Sequence, residues 1–264
     1  MYYEHKICSL PDENTKVWRF LDFTKLYSLL DKEKLHFSRV DQLNDRFEGS
    51  IPKSKKQFRI TQHFEHLKGV VPDSIIKMLE NSPPLLYTFR KLVYICSFHL
   101  NEYESAALWK IYLKSNEGVV FQTTIKNLKN SFNCDDKYNV LLSDVEYIDY
   151  SSESYDTIPI EKNVFHQILY KRKSFEYERE LRAFVIFPPD LQPEIKKAGT
   201  RIPFNPETAP KGVFVPVDLG SLILDIRVAP TSSEWFKELV QSMVDKFGLK
   251  IEVHQSSLAE EPLF

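Results

Sequence analysis

Apolar and polar positions in this chain come in short blocks whose period keeps changing. Val17, Trp18, Phe20 and Leu21, interrupted by Lys16 and Arg19, predict a first strand, with Asp22 and Thr24 as candidate caps for a helix after it. Leu26, Leu29 and Leu30 are spaced for one face of a helix over 23–34. A second strand is expected at 35–38, then a polar, turn-rich loop from Asp41 to Gly49. Helices are expected at 74–80 and 85–92, around the break Ser82-Pro83-Pro84, and a strand at 93–99. A short helix over 105–113 carries Trp109 and Tyr112 on neighbouring surface. Strands at 118–123 and 140–150 precede a helix over 159–173. The charged stretch from Tyr170 to Arg182 then runs directly into Ala183-Phe184-Val185-Ile186-Phe187. Late in the chain, 212–219 and 222–228 read as strands and 233–247 as an amphipathic helix closed by Gly248. A last strand falls at 250–254.

Strands outnumber helices, and the helices fall irregularly between them. This predicts an α+β fold with a mixed or antiparallel sheet, open to a split, rather than a doubly wound one. Residues 17–255 read as a single domain, with 1–16 as an N-terminal arm and 256–264 as a C-terminal tail. The Pro-rich stretch 188–210 reads as a surface excursion from that domain, and no internal repeat is found. The sequence leaves homo-oligomerisation open.

Composition narrows the function classes. Thirty-five basic and 37 acidic residues leave a formal net charge of -2, so no whole-molecule field draws nucleic acid or anionic lipid. Three separated cysteines without a CxxC predict no disulfide framework, and with no signal-peptide core or membrane-length apolar run they point to the cytoplasm. Glycine-rich nucleotide loops, a GxSxG elbow and HExxH are absent. His63 and His66 read as solvated surface residues, as does the basic run Lys53, Lys55, Lys56 and Arg59, with phosphate contact as its alternative. Asp41, Asn44, Asp45 and Glu48 read as caps and turn residues before they read as a cation site. Trp109 and Tyr112 are open to two readings, core packing or a stacking surface for a planar ring.

The densest chemistry lies at Glu178, Glu180 and Arg182. If the strand begins near Glu178, period-two alternation puts all three on one face, with Leu181, Ala183 and Val185 on the other. Charges at the mouth of a buried strand either pair with one another or serve a ligand.

The order of these segments resembles a large uncharacterised family of bacterial and phage-associated proteins. The resemblance spans roughly residues 17–255. It rests on Val17-Trp18-Arg19-Phe20, on Phe37-Ser38 through Asn44-Asp45-Arg46-Phe47-Glu48, on Ser97-Phe98 through Leu108-Trp109, Tyr112 and Gly118-Val119, and on Tyr170-Lys171, Phe175, Tyr177-Glu178, Glu180 and Arg182. Arg46 stands where the pattern usually has proline, and Phe175 where it has tryptophan. A looser similarity is to ADP-ribosyltransferases, which place an arginine on the first strand, a serine on a middle strand and Glu-x-Glu at a later one. Arg19, Ser97 and Glu178-Arg179-Glu180 fall in that order.

That second similarity implies NAD as substrate, no metal, and ADP-ribosyl transfer to protein or nucleic acid, or NAD glycohydrolysis, in a toxin or phage-defence effector. It implies Glu180 as support for the cationic transition state and Glu178 as the group that orients or deprotonates the acceptor. Arg19, Ser97, Trp109 and Tyr112 would bind the dinucleotide. Two other readings stand beside it. One is a metal-dependent nuclease using Asp41, Asp45, Glu178 and Glu180 with Lys171 or Lys173. The other is a non-catalytic recognition module whose charges form a structural lattice.

Overall fold

The structure, a computed structural model, describes residues 1–50, 89–112, 116–151, 167–186, 188 and 208–262. Strand β1 (Lys16–Asp22) leads into helix α1 (Phe23–Lys32) and strand β2 (Lys34–Arg39). Strand β3 (Val93–Leu100), helix α2 (Ala106–Tyr112), strand β4 (Gly118–Thr124) and helix α3 (Ile125–Ser131) come next. Then come β5 (Leu141–Asp144), β6 (Glu146–Ile148), β7 (Tyr170–Arg172) and β8 (Glu180–Ile186). The chain ends through β9 (Gly212–Pro216), α4 (Leu219–Leu222), β10 (Asp225–Val228), α5 (Glu234–Lys246) and β11 (Val253–Gln255).

Among the described residues nine strands make one sheet, ordered β11-β10-β4-β1-β3-β2-β9, with β8 on β3 and β5 on β8. Only β10 and β11 are parallel within it. The α+β class expected from the sequence is the class observed. The sheet divides at β3. One edge of that strand pairs with β8 from Val93 to His99. The other edge is shared, with β1 at His99 and Leu100 and with β2 at Tyr94 and Ile95. Beyond those contacts β1 runs along β4 and β2 along β9, so the two diverge. Among the described residues Cys96, Ser97 and Phe98 therefore have no strand partner on that edge. Backbone groups left open in this way must find side chains or ligand.

The main core packs Leu26, Leu29 and Leu30 of α1 and Phe236, Val240 and Val244 of α5 against the sheet. Each such buried side chain contributes about 1.5–3 kcal/mol relative to exposure. A smaller cluster of Trp18, Phe20, Leu108, Trp109, Val120 and Ala229 lies on the opposite face of β1, under α2. Alternation along β1 explains the division, since Val17 and Leu21 face one cluster and Trp18 and Phe20 the other. Asp22 caps α1 by accepting from the Lys25 amide at 2.8 Å. Gly248, at φ +75°, ends the α5 segment in the left-handed conformation. Among the described residues no helix is long and apolar enough to cross a membrane.

Several elements differ from the sequence expectation. The strand expected from Glu178 starts at Glu180, because residues 173–178 wind into a 3-10 helix and Arg179 takes the left-handed conformation at φ 39°. The single strand expected over 140–150 is two. β5 joins the main sheet, while β6 pairs in parallel with β7, after Val145 has turned its amide to the Glu180 carbonyl. Residues 170–172, expected to be helical, form β7, and Leu219 and Leu222, expected as strand ends, belong to the helical turn Leu219–Leu222. The last strand sits at Val253–Gln255. Residues 1–10 run beside β5, with Tyr3 donating to Val140 and Asp144 to Ser9. The helix expected at 74–80, the first half of that at 85–92, most of that at 159–173, the basic run, His63 and His66, and most of 188–210 lie outside the described residues.

Candidate active site

Five elements converge where the sheet divides. Arg19 comes from β1, Ser97 from β3, Tyr112 from the end of α2, Glu178 from the 3-10 helix and Glu180 from the start of β8. Together with Trp18, Phe20, Phe98, His99 and Leu108 they line one pit of about 30 Å³. That volume holds a water-sized group. Arg19, Phe20 and Tyr112 also line a second cleft of about 500 Å³, which therefore borders the pit.

Glu180 is anchored on every side. One of its oxygens accepts from Ser97 Oγ and from Arg182 Nε at 2.8 Å; the other accepts from Lys171 Nζ at 2.8 Å and Arg182 Nη2 at 3.1 Å. A carboxylate has about four acceptor positions, so the protein itself occupies them. Arg182 is fully buried and also binds Glu48 Oε2 at 2.6 Å and the Ile168 carbonyl at 2.5 Å. Lys171 Nζ lies 2.5 Å from Glu178, 2.8 Å from Glu180 and 3.4 Å from Glu48. Three carboxylates thus surround two cations. Burial pushes the Glu180 carboxyl upward, but Arg182 and Lys171 outweigh it and hold the group well below the usual carboxylate range.

Glu178 differs. Burial raises its carboxyl above the usual value, Lys171 opposes the rise, and the Glu180 and Glu48 charges add to it. It is the carboxyl of the pit most easily exchanged between its protonated and charged forms. His99 donates from Nδ1 to the Glu178 carbonyl at 2.6 Å, since a carbonyl oxygen only accepts. Burial lowers the ring's pKa and keeps it neutral, and Nε2 is buried without a partner among the described residues. Burial, with the two pit carboxylates, raises the Tyr112 hydroxyl to about 12.

Arg19 fills the opening in the sheet. Its Nη1 donates to the Ser97 carbonyl, its guanidinium lies over the Phe98 ring at 5.3 Å, and its buried Nε has no partner among the described residues. Trp109 is placed elsewhere than a ligand-stacking role needs. It is buried against Phe20 at 5.0 Å, edge to face, and donates from its indole nitrogen to Glu104 at 2.9 Å. Of the aromatic pair, Tyr112 reaches the pit and Trp109 is core. The loop carboxylates are matched to cations, Asp41 to Arg39 at 2.6 Å and Asp45 to Arg172 at 2.9 Å. Lys171 Nζ lies between Glu48, Glu178 and Glu180 and supplies the positive charge among them. Among the described residues no group of three or more His, Cys, Asp or Glu side chains is arranged to hold a metal.

Sequence reasoning left Glu48, Lys171 and Arg182 out of the binding set, and it gave His99 no part. Glu48 lies 134 positions from Arg182, and it is signalled by the loop pattern Asn44-Asp45-Arg46-Phe47-Glu48 and by its place among the loop's acidic residues, neither of which points to Arg182.

No family model matches the chain, and no curated protein matches it. Among solved structures, Thermus sp. 2.9 DarT in complex with NAD+ is similar at 11% identity and a TM-score of 0.40, over 95% of this chain and 99% of that one. The same protein in complex with ADP-ribosylated ssDNA gives 10% identity and a TM-score of 0.40, over 96% and 100%. Its complex with carba-NAD+ gives 12% identity and a TM-score of 0.35, over 93% and 97%. Likenesses this loose carry no argument about the present chain.

Proposed function

We propose that the protein cleaves the nicotinamide–ribose bond of NAD and passes ADP-ribose to a protein or nucleic-acid acceptor, or to water. The observation that carries this reading is the gathering of Arg19, Ser97, Tyr112, Glu178 and Glu180 from five elements into one pit at the division of the sheet. In the reaction the N-glycosidic bond breaks and nicotinamide leaves with the bonding electrons. The ribose carbon becomes cation-like, and an acceptor N–H or O–H bonds to it while losing a proton. Glu180, fixed in its charged form, supplies negative potential at that carbon without having to reorganise. Its acceptor positions are filled, so it acts through charge, and a ribose hydroxyl reaches it only by displacing Ser97. Glu178, with its raised pKa, takes the acceptor's proton. The pit is too small for the nicotinamide ring as it stands. Tyr112, 46% exposed at the end of α2, is the wall that must swing to admit it.

Such an activity, aimed at an acceptor common to all cells, would suit a toxin or defence effector. The test is release of nicotinamide from NAD by the pure protein, alone and with single-stranded DNA, RNA or a protein mixture. Glu178→Gln serves as control. If the wild-type protein releases no nicotinamide under any of these conditions, the reading is wrong, and the saturated bonding of Glu180 then favours a recognition module stiffened by its charges.

A further inference from the structure

We infer that the cleft beside the pit is a binding site for the adenosine-diphosphate arm of a nucleotide, with Lys34, Lys25 and Arg19 facing the phosphates. The cleft lies between the end of β1, α1, β2 and the loop after it, and its volume of about 500 Å³ suits a ligand of nucleotide size. Among the described residues its lining contains no carboxylate. That is notable in a chain of net charge -2. Lys34 is exposed, and Lys25 pairs with Asp22 at 2.8 Å on the surface. The positive potential registers on a neighbour. Burial lowers the pKa of His36, and the charges of Arg19, Lys25 and Lys32 lower it further.

Two further features fit the same ligand. Arg19 lines both spaces, and its buried Nε is without a partner among the described residues. A planar guanidinium there can fork onto phosphate oxygens while Nη1 stays on Ser97. Phe214, half-exposed in the cleft wall, carries the Lys32 ammonium over its ring at 4.3 Å and meets His36 edge to face at 5.1 Å, which adds a further cation beside the cleft. A phosphodiester strand would meet the same charges. The nucleotide is favoured because Arg19, Phe20 and Tyr112 line both spaces, so phosphates seated on Arg19 lie beside the pit carboxylates that the proposed reaction uses. The inference rests on the NAD reading in that preference and in naming which dinucleotide the arm belongs to.

The experiment measures binding of ADP, adenosine and a single-stranded oligonucleotide by calorimetry to the wild-type protein and to Lys34→Glu. A Lys25→Met variant guards against a local effect at Lys34. ADP should bind at least about 10-fold more tightly than adenosine, and charge reversal at Lys34 should weaken ADP about 10-fold while leaving adenosine unchanged. Lys25→Met should weaken ADP in the same direction. Equal affinity for ADP and adenosine, or indifference to both lysines, overturns the assignment. So does displacement of ADP by the oligonucleotide with lysine-dependent, tighter binding, which would make the cleft a nucleic-acid site. Lysine-dependent ADP binding without NAD cleavage would sink the catalytic reading and leave this one standing. NAD cleavage without ADP binding would do the reverse.

Discussion

Replacing Glu180 by glutamine should cost both stability and activity, for separable reasons. The amide keeps the shape of the carboxyl but has one acceptor oxygen where the carboxylate has two. Its nitrogen must then face Ser97 and Arg182 or Lys171 and Arg182. Two cations that shared three carboxylates are left with Glu48 and Glu178. Breaking one member of a buried ion pair costs about 3–5 kcal/mol. For a protein of this size each kcal/mol lowers Tm by about 2–4 °C, so a fall of about 6–20 °C is expected. Removing charge stabilisation from the pit should slow NAD cleavage about 100-fold or more. Glu178→Gln should divide the effects differently. Among the described residues Glu178 has one cation partner, Lys171, and its side chain keeps 13% exposure, so Tm should move only a few degrees while nicotinamide release falls as far. The assay is thermal melting alongside nicotinamide release per folded molecule for both variants. Wild-type specific activity in the folded fraction of Glu180→Gln would refute the charge-stabilisation role. An unchanged Tm for that variant would refute the ion-pair account.

The same groups set the pH dependence. Glu180 and Glu104 both sit below the ordinary carboxylate value of 4.5: at Glu180 burial is outweighed by Arg182 and Lys171, and at Glu104 by bonds from Ser256, Trp109 and Arg227. Their stabilisation is complete above 4.5 and is lost as pH falls through the lower folded-state values. Melting temperature should therefore hold from about pH 7 to 5 and decline below, less steeply in Glu180→Gln; an equally steep decline would count against it. Glu178 has the opposite sign, its contribution being present below 4.5 and lost as pH rises through its raised value. As a base it serves only above that value, so nicotinamide release should show an acid limb above the usual carboxylate range, absent in Glu178→Gln. Trp109→Phe removes the buried indole bond to Glu104 and should lower stability by about 1–3 kcal/mol with KM for NAD unchanged; a raised KM at unchanged Tm would return Trp109 to the site.

How legible each element is in the sequence tracks how local its signal is. Leu26, Leu29 and Leu30 announce α1 because a helix face is written in i, i+3, i+4 spacing, and Asp22 caps it three residues from its partner. The apolar runs of β3, β4 and β8 are equally plain. The start of β8 was misread because alternation cannot show that Arg179 adopts a left-handed backbone, a choice made by the 3-10 helix before it. β7 is three residues long and exists only because β6 lies beside it, so no local pattern marks it. The placement of Arg19 beside Ser97 was legible as an order of residues, while the division of the sheet that joins them depends on β1 and β2 sharing one edge of β3.

The sequence posed a choice between a charge lattice and an active site at Glu178, Glu180 and Arg182; the lattice is formed, and the function proposed above gives the same carboxylates a second role. Burying three carboxylates and two cations costs several kcal/mol per ion, and an apolar set of similar volume would often hold β8 as well or better. What an apolar set lacks is a carboxylate locked in its charged form at the edge of an open space. Arg182, with no exposure, holds Glu180 and Glu48 together, and Lys171 ties both to Glu178. The same bonds that saturate Glu180 fix its position and its charge state. Preorganisation of that kind is what lets a carboxylate stabilise a developing cation without first turning toward it. Glu178 completes the division. It stands where the 3-10 helix ends, one left-handed residue before the lattice strand, and is less tightly held and more readily protonated. In the proposed reaction, a rigid negative charge beside a carboxyl able to move a proton would divide the work as the paired carboxylates of most glycoside hydrolases do.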